Sequence, residues 1–179
     1  MKGKRGKRMN FIPYKGMIPE IHETVFIAKG AKIIGSVKLM QNSSIWFNAV
    51  LRGDIAPITI GEETNIQDNA TVHVETNTPT IVGNRVTIGH NAIIHACRID
   101  DNVLIGMGAI ILNGAHISRN TLIAAGAIVT ENKLIPENSL VMGVPARVVR
   151  KLTEEEIEQI KISAIHYSEV AKHYKREVM

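Results

Sequence analysis

Residues 99–117 read IDDNVLIGMGAIILNGAHI, and in this stretch an aliphatic residue returns at every sixth position. A period of six matches neither the 3.6-residue turn of an α-helix nor the two-residue alternation of a strand. It is typical of a coil in which each side uses one hexapeptide, with the aliphatic side chain inside and small residues at the corners. Seven positions follow this spacing: Ile99, Ile105, Ile111, Ile117, Ile123, Val129 and Ile135. We therefore predict an all-β solenoid, a parallel β-helix of hexapeptide repeats.

The register continues towards the N-terminus with two interruptions. The upstream aliphatic positions are Ile34, Leu39, Ile45, Leu51, Ile60, Ile66, Val72, Val82, Ile88 and Ile94. The steps from Leu51 to Ile60 and from Val72 to Val82 are longer than six residues. Because insertions in a solenoid generally map to surface loops, often on the binding face, we expect a loop at each.

The chain divides into three predicted parts. Residues 1–10 form a basic tail that we expect to be disordered, residues 11–150 the β-helix domain, and residues 151–179 a C-terminal α-helix packed on it. Thr153 and Glu156 have the spacing of a capping box at the helix start. An apolar stripe follows at steps of three and four: Ile157, Ile160, Ala164, Tyr167, Ala171 and Tyr174.

Charge and composition exclude several classes of protein. Residues 2–8 hold five of the 21 basic residues, and the remaining 16 are balanced by 17 acidic ones. A nucleic-acid interface needs a basic patch on a folded face, so we expect no nucleic-acid partner. The chain has no apolar run long enough to span a membrane. Its lone cysteine, Cys97, indicates a reducing compartment, and we expect a cytoplasmic location.

The register also assigns polar residues to corners of the coil. If three hexapeptides complete one coil, residues one coil apart stack about 4.8 Å apart along the axis. One corner, called corner A, then carries Arg52, His73 and His95. A second, called corner B, carries Gln67, Asp68 and His90. A single chain cannot join the two corners, but corner A of one copy can meet corner B of the next, and this head-to-tail contact closes naturally into a homotrimer.

The three histidines of these corners predict a metal site between subunits. His73 and His95 would come from one chain and His90 from the next. Three imidazoles without a fourth protein ligand are the open pattern of a catalytic zinc site. Water occupies the open position, and the metal lowers its pKa towards about 7.

Three motifs resemble those of γ-class carbonic anhydrases, in order and spacing. They are NAVLRGD at 48–54, NIQDNATVH at 65–73 and TIGHNAIIHACRI at 87–99. The resemblance implies a left-handed β-helix and a homotrimer that holds zinc, or iron or cobalt, through His73, His90 and His95. It implies reversible hydration of CO2 to bicarbonate by a zinc-bound hydroxide, and it implies no organic cofactor.

The same resemblance implies roles for the other polar residues. Gln67 would orient the hydroxide, and Asn65 would line the CO2 side. Arg52 would pair with Asp54 and with Asp68 of the neighbouring chain, and would thereby hold the trimer together and fix the bicarbonate region of the catalytic site. Tyr167 is similar to a tyrosine that shorter members bring to the site.

Two departures weaken the expectation of efficient turnover. The founding archaeal type has a glutamate directly after the Arg-Gly-Asp string, where this chain has Ile55. It also has a long acidic loop carrying its proton-shuttle glutamate, where this chain has only the short segment 74–79. Glu75 is the candidate substitute.

Two other functions stay open at this point. Many hexapeptide β-helices are acyltransferases that use a histidine as general base, and an acyl-thioester hydrolase could use the same polar cluster with coenzyme A thioesters. A trimer that binds a metal or a siderophore without catalysis is the third possibility.

Overall fold

The computed structural model describes residues 11–178, so the predicted basic tail at 1–10 lies outside the described residues. Short strands follow one another along the chain and precede one helix, α1 (Glu154–Val178). The strands are β1 (Phe11–Ile12), β2 (Glu20–Ile21), β3 (Phe26–Ile27), β4 (Lys32–Leu39), β5 (Ser44–Ile45), β6 (Val50–Ile60), β7 (Asn65–Ile66), β8 (Thr71–His73), β9 (Thr80–Val82), β10 (Thr87–Ile88), β11 (Ile93–His95), β12 (Arg98–Ile99), β13 (Leu104–Ile105), β14 (Ile110–Ile111), β15 (His116–Ile117), β16 (Leu122–Ile123), β17 (Ile128–Val129), β18 (Leu134–Ile135), β19 (Ser139–Met142) and β20 (Arg147–Lys151).

The strands stack as the three faces of a parallel β-helix. Face 1 contains β8, β11, β14 and β17, and face 2 contains β9, β12, β15 and β18. Face 3 is an eight-stranded sheet from β3 to β20, in which only the terminal pair β19–β20 is antiparallel. Each strand pairs with the strand three positions along the repeat, so each coil closes after three hexapeptides. This arrangement confirms the predicted β-helix with a C-terminal α-helix.

The predicted aliphatic positions form the interior of the coil. Ile88, Ile105 and Ile123 align on adjacent strands of face 3, and each is fully buried. Burial of one such side chain contributes about 1.5–3 kcal/mol, and the repeat supplies one on every strand. In the first coil the prediction is wrong by one residue: Ile33, not Ile34, is fully buried and pairs with Leu51.

The first insertion is not a loop, contrary to expectation. Residues 50–60 form one continuous strand, β6, which runs beside β4 from face 1 into face 2. The two backbones approach closely at Gly35 and Gly53, because a Cβ on Gly35 would lie 2.3 Å from the carbonyl oxygen of Gly53. Two glycines therefore let adjacent strands turn the corner together. The second insertion is a tight turn, in which Glu75 and Thr78 exchange backbone hydrogen bonds of 3.2 and 2.9 Å.

Asparagine rather than glycine occupies many of the corners. Asn91, Asn102 and Asn120 have φ values of 58°, 56° and 55°, in the left-handed region. Asparagine tolerates this region because its short polar side chain bonds locally. Here the side chains also bond between coils: Asn120 Nδ2 donates to Asn138 Oδ1 at 3.0 Å.

Helix α1 lies along face 3 and runs back towards the first coils. The capping box is confirmed, since Thr153 N donates to Glu156 Oε2 at 2.9 Å and Glu156 N donates to Thr153 Oγ1 at 3.2 Å. Ile157 and Ile160 pack on leucines of the late coils, and Ala171 packs on Phe26 and Trp46 of the early coils. No helix among the described residues is long and apolar enough to cross a membrane.

Candidate metal centre

Corner A brings His73 and His95 into contact, as the six-residue register predicts. Residues Arg52, His73 and His95 align on the adjacent strands β6, β8 and β11. The Nδ1 atom of His73 lies 3.0 Å from the Nε2 atom of His95, and the ring centroids are 5.0 Å apart. One nitrogen of each ring therefore faces the other ring.

The other ring nitrogens are held by hydrogen-bond acceptors. His73 Nε2 lies 3.1 Å from Asp54 Oδ1, and His95 Nδ1 lies 2.7 Å from Asn113 Oδ1. A carboxylate or an amide oxygen only accepts, so in the neutral imidazoles these two nitrogens carry the protons. The nitrogens that face each other are consequently both left with lone pairs.

Asp54 is itself positioned by two partners. Burial opposes ionisation of Asp54, but hydrogen bonds from Arg52 and His73 outweigh it and hold the pKa of this carboxyl below its usual value. Asp54 therefore stays an acceptor for the imidazole of His73. The predicted pairing of Arg52 with Asp54 within one chain is present in the structure.

Corner B carries a second orienting pair. His90 Nδ1 lies 2.8 Å from Asp68 Oδ2, and the backbone N of Phe47 donates to Asp68 Oδ1 at 3.1 Å. The carboxylate thus holds Nδ1–H and leaves the Nε2 of His90 as the free nitrogen. The His90 side chain is 38% exposed, whereas that of His73 is 16% exposed. The His90 side chain is therefore accessible to a neighbouring molecule.

The chain alone does not assemble all three histidines. Among residues 11–178 there is no group of three or more His, Cys, Asp or Glu side chains placed to hold one metal ion. His73 and His95 lie on one corner and His90 on another, in agreement with the separation that the register predicts. A three-histidine centre requires contact between two copies.

A cleft borders corner B. Its volume is about 430 Å³, and Gln67, His90 and Tyr167 lie on its wall beside leucines of face 3. Burial, and then the charge of Asp68, raise the pKa of Tyr167 above its usual value, so its hydroxyl stays protonated and can donate. Its ring packs on Trp46 with centroids 5.5 Å apart.

Asn65 lies behind this wall rather than on it. It is 1% exposed and donates through Nδ2 to Thr87 Oγ1 at 2.9 Å. Its Oδ1 accepts a hydrogen bond of 3.2 Å from Nε2 of Gln67. Asn65 therefore orients the amide of Gln67.

The structure also places Ile55 and Glu75, which belong to the two segments that weaken the expectation of efficient turnover. Ile55 is 48% exposed on β6. Glu75 is exposed in the tight turn, and hydrogen bonds from Thr76, followed by the nearby His95 and His73, hold its pKa below the usual value. A carboxyl with a lowered pKa is a poor proton acceptor at neutral pH.

The donor set of corner A fits a zinc ion. Two imidazole nitrogens bound to one tetrahedral zinc at about 2.0–2.1 Å lie about 3.3 Å apart, close to the 3.0 Å found between His73 and His95. Two lone pairs at this distance repel, and either a proton or a metal ion bound between them removes the repulsion. The Asn113 contact was not predicted from the sequence, because the residue one coil after His95 is Leu112; Asn113 is the amide residue that follows it.

A hexapeptide-repeat β-helix with a candidate metal centre at its corner is the class that the fold and these side chains define. Known proteins agree with this class. A probable carbonic anhydrase of Methanocaldococcus jannaschii is 57% identical over 87% of this chain and 99% of its own length. A carbonic anhydrase of Geobacillus kaustophilus is 49% identical over 91% of this chain and 90% of its own. A mitochondrial gamma carbonic anhydrase 1 of Arabidopsis thaliana is 44% identical over 89% and 60%. No protein-family model matches the chain.

Solved structures share the fold. A putative acetyltransferase of Bacillus cereus superposes with a TM-score of 0.91 at 42% identity, covering 94% of this chain and 99% of its own. A hexapeptide transferase family protein of Anaplasma phagocytophilum gives 0.88 at 42% identity, covering 91% and 96%. The chain belongs to the γ-carbonic anhydrase-like family of hexapeptide-repeat proteins, and its fold is the predicted left-handed β-helix.

Proposed function

We propose that this protein interconverts CO2 and bicarbonate at a zinc centre shared between neighbouring chains of a homotrimer. The observation that carries the proposal is the convergence of His73 Nδ1 and His95 Nε2 at 3.0 Å, with the other nitrogen of each ring held by an acceptor. When bound, zinc lowers the pKa of a coordinated water to about 7 and so supplies hydroxide at neutral pH. Fe²⁺ or Co²⁺ accepts the same imidazole ligands.

The third ligand of the proposed centre is His90 of a second copy. Its orientation by Asp68 and its half-exposed side chain support this role, since the free Nε2 can reach a neighbour. In a head-to-tail ring, corner A of each chain meets corner B of the next, and three equivalent sites result. Arg52 would lie at the same contact, where its half-exposed guanidinium can pair with Asp68 of the neighbour as well as with its own Asp54.

Gln67 and Tyr167 would act on the reacting molecules from the cleft. Gln67 uses Nε2 to bond Asn65, so its Oε1 can accept a hydrogen bond from the reacting water and orient it. Tyr167 keeps its proton and can donate to an oxygen of bicarbonate. Asn65 supports Gln67 from behind. The apolar wall of the cleft, which includes Leu104 and Leu122, suits CO2.

Metal content and CO2 hydration, measured together, test the proposal. We expect freshly prepared protein to contain one zinc per chain and to hydrate CO2 in a stopped-flow assay, and His90→Ala to lose both. His116→Ala is the matched control, because His116 lies on β15 of face 2, where its Nε2 is 2.8 Å from Asp100 Oδ2. Protein without bound metal contradicts the proposal. Metal-loaded protein that is inactive at every pH, under reducing and oxidising conditions alike, supports a non-catalytic binding role instead.

Acyl transfer is the second candidate, and the cleft beside His90 favours it. The cleft continues past Gly106 and Ala124, small residues that leave room for an elongated ligand along the coil axis. The two solved structures named above are described as transferases. Saturable binding of coenzyme A, or hydrolysis of its thioesters, would support this function, and its absence favours the hydration reaction.

A further inference from the structure

Asn113 contacts His95 from the coil that follows it. It comes two residues after the end of β14, whose residue Ile111 pairs with Ile94 of β11. The backbone of this corner is held on both sides: Gly114 N donates to Ala96 O at 2.7 Å, and Asn132 N donates to Asn113 O at 2.8 Å. Asn113 therefore presents its side chain from a fixed position.

The Asn113 amide determines which nitrogen of His95 carries the proton. Its Oδ1 lies 2.7 Å from His95 Nδ1, and an amide oxygen only accepts. His95 is therefore held as the Nδ1–H tautomer, with its Nε2 lone pair directed at His73. Without this acceptor the proton is free to move to Nε2, where it would stand between the two histidines.

We infer that Asn113 is a positioning residue for the metal centre, an inference that rests on the proposed zinc site. It acts on His95 as Asp54 acts on His73 and as Asp68 acts on His90. It differs from both because it is neutral. A carboxylate would add a second negative charge beside corner A, where Asp54 already lies, and the amide supplies the acceptor without that charge.

Two substitutions separate the acceptor from the shape of the side chain. Asn113→Leu has a similar volume and no acceptor, whereas Asn113→Asp keeps an acceptor. Zinc affinity is measured on the full-length protein by competition with a chromophoric chelator. Loss of such an orienting contact typically weakens metal binding about 10–100-fold. We expect this loss in Asn113→Leu and a change of only a few-fold in Asn113→Asp.

A second measurement reads the tautomer without metal or activity. Long-range ¹H–¹⁵N spectra of the metal-free protein report which ring nitrogen of each histidine is protonated. We expect His95 to be protonated at Nδ1 in the wild type and in Asn113→Asp, and to shift towards Nε2 in Asn113→Leu. Asn84→Leu is the matched control, since Asn84 lies on the corner that follows face 2, where it bonds Glu62 N and Asp101, and it touches no histidine of the centre.

The outcomes separate this inference from the function on which it rests. Wild-type protein that binds no zinc overturns both. Wild-type protein that binds zinc while Asn113→Leu binds it equally well, with an unchanged His95 tautomer, overturns the role of Asn113 alone. Equal weakening by Asn84→Leu also overturns it, because the loss then reflects the fold rather than the acceptor.

Discussion

The Nδ1 atom of His90 lies 2.8 Å from Oδ2 of Asp68, one coil earlier on the same corner. This pair orients His90 before any second copy is present. It lies apart from His73 and His95, so in the proposed centre each chain would contribute two histidines through corner A and one through corner B. An assembly that joins unlike corners would complete the proposed site, and one that joins like corners would not.

Mixed subunits test this arrangement directly. His73→Ala damages corner A only, and His90→Ala damages corner B only. Neither variant alone should bind zinc tightly. When the two are co-expressed in equal amounts and assemble at random, an intact corner A meets an intact corner B at about one quarter of the contacts. We expect that fraction of wild-type zinc, measured by elemental analysis.

A matched mixture controls for folding effects in this experiment. His73→Ala and His95→Ala both damage corner A, so their mixture should regain no zinc. Recovery in this second mixture, or no recovery in the first, would contradict a site between unlike corners.

The positive φ of the corner asparagines predicts that glycine destabilises the protein less than alanine does at these positions. Asn120 has a φ of 55°, where alanine is strained by about 1–2 kcal/mol and glycine is not. Both substitutions lose the bond to Asn138. We expect Asn120→Ala to have a free energy of unfolding about 1–2 kcal/mol below that of Asn120→Gly in denaturant titrations. Ser118 does not have a positive φ, so Ser118→Ala should not have a lower free energy of unfolding than Ser118→Gly.

The start of α1 predicts a stability difference that depends on pH. Hydrogen bonds from Arg150, then from the backbone of Thr153, lower the pKa of Glu156 to about 2. Because the folded pKa is below the unfolded value of about 4.3, the contact stabilises the protein above that pH and loses its effect as pH falls towards 2. Wild type should exceed Glu156→Gln in free energy of unfolding at pH 7 and match it near pH 2. A difference that is constant across this range would contradict the assignment.

Cys97 is expected to be inert in the folded protein. Its side chain lies in the core, the residue is 3% exposed, and burial raises the pKa of its thiol to about 12. A thiol-specific chromogenic reagent at pH 8 should therefore label one thiol per chain in denaturant and almost none in native protein. Cys97→Ser provides the blank. Rapid labelling of native protein would show that the coil opens at this position.

The six-residue period predicted most of the fold because it constrains every coil in the same way. Each aliphatic position of the regular repeat is buried for the same reason, and counting three hexapeptides is enough to say that His73 and His95 share a corner while His90 does not. The count is wrong where the repeat is irregular. At Gly35 and Gly53 two strands bend together around the corner, and the expected loop becomes part of β6.

The amino-acid sequence by itself thus determined the β-helix, the capping box of α1 and the division of polar residues between corners A and B, since all of these follow from spacing along the chain. The tertiary structure alone decided which atoms meet. Asn113 accepts from His95 and Asp68 holds His90 through contacts between adjacent coils, 18 and 22 residues apart. Asn65 lies behind Gln67 because its side chain bonds Thr87 of the next coil, and all three contacts depend on side-chain rotamers. A period states which residues share a corner, but the packing of adjacent coils sets the direction in which each side chain points.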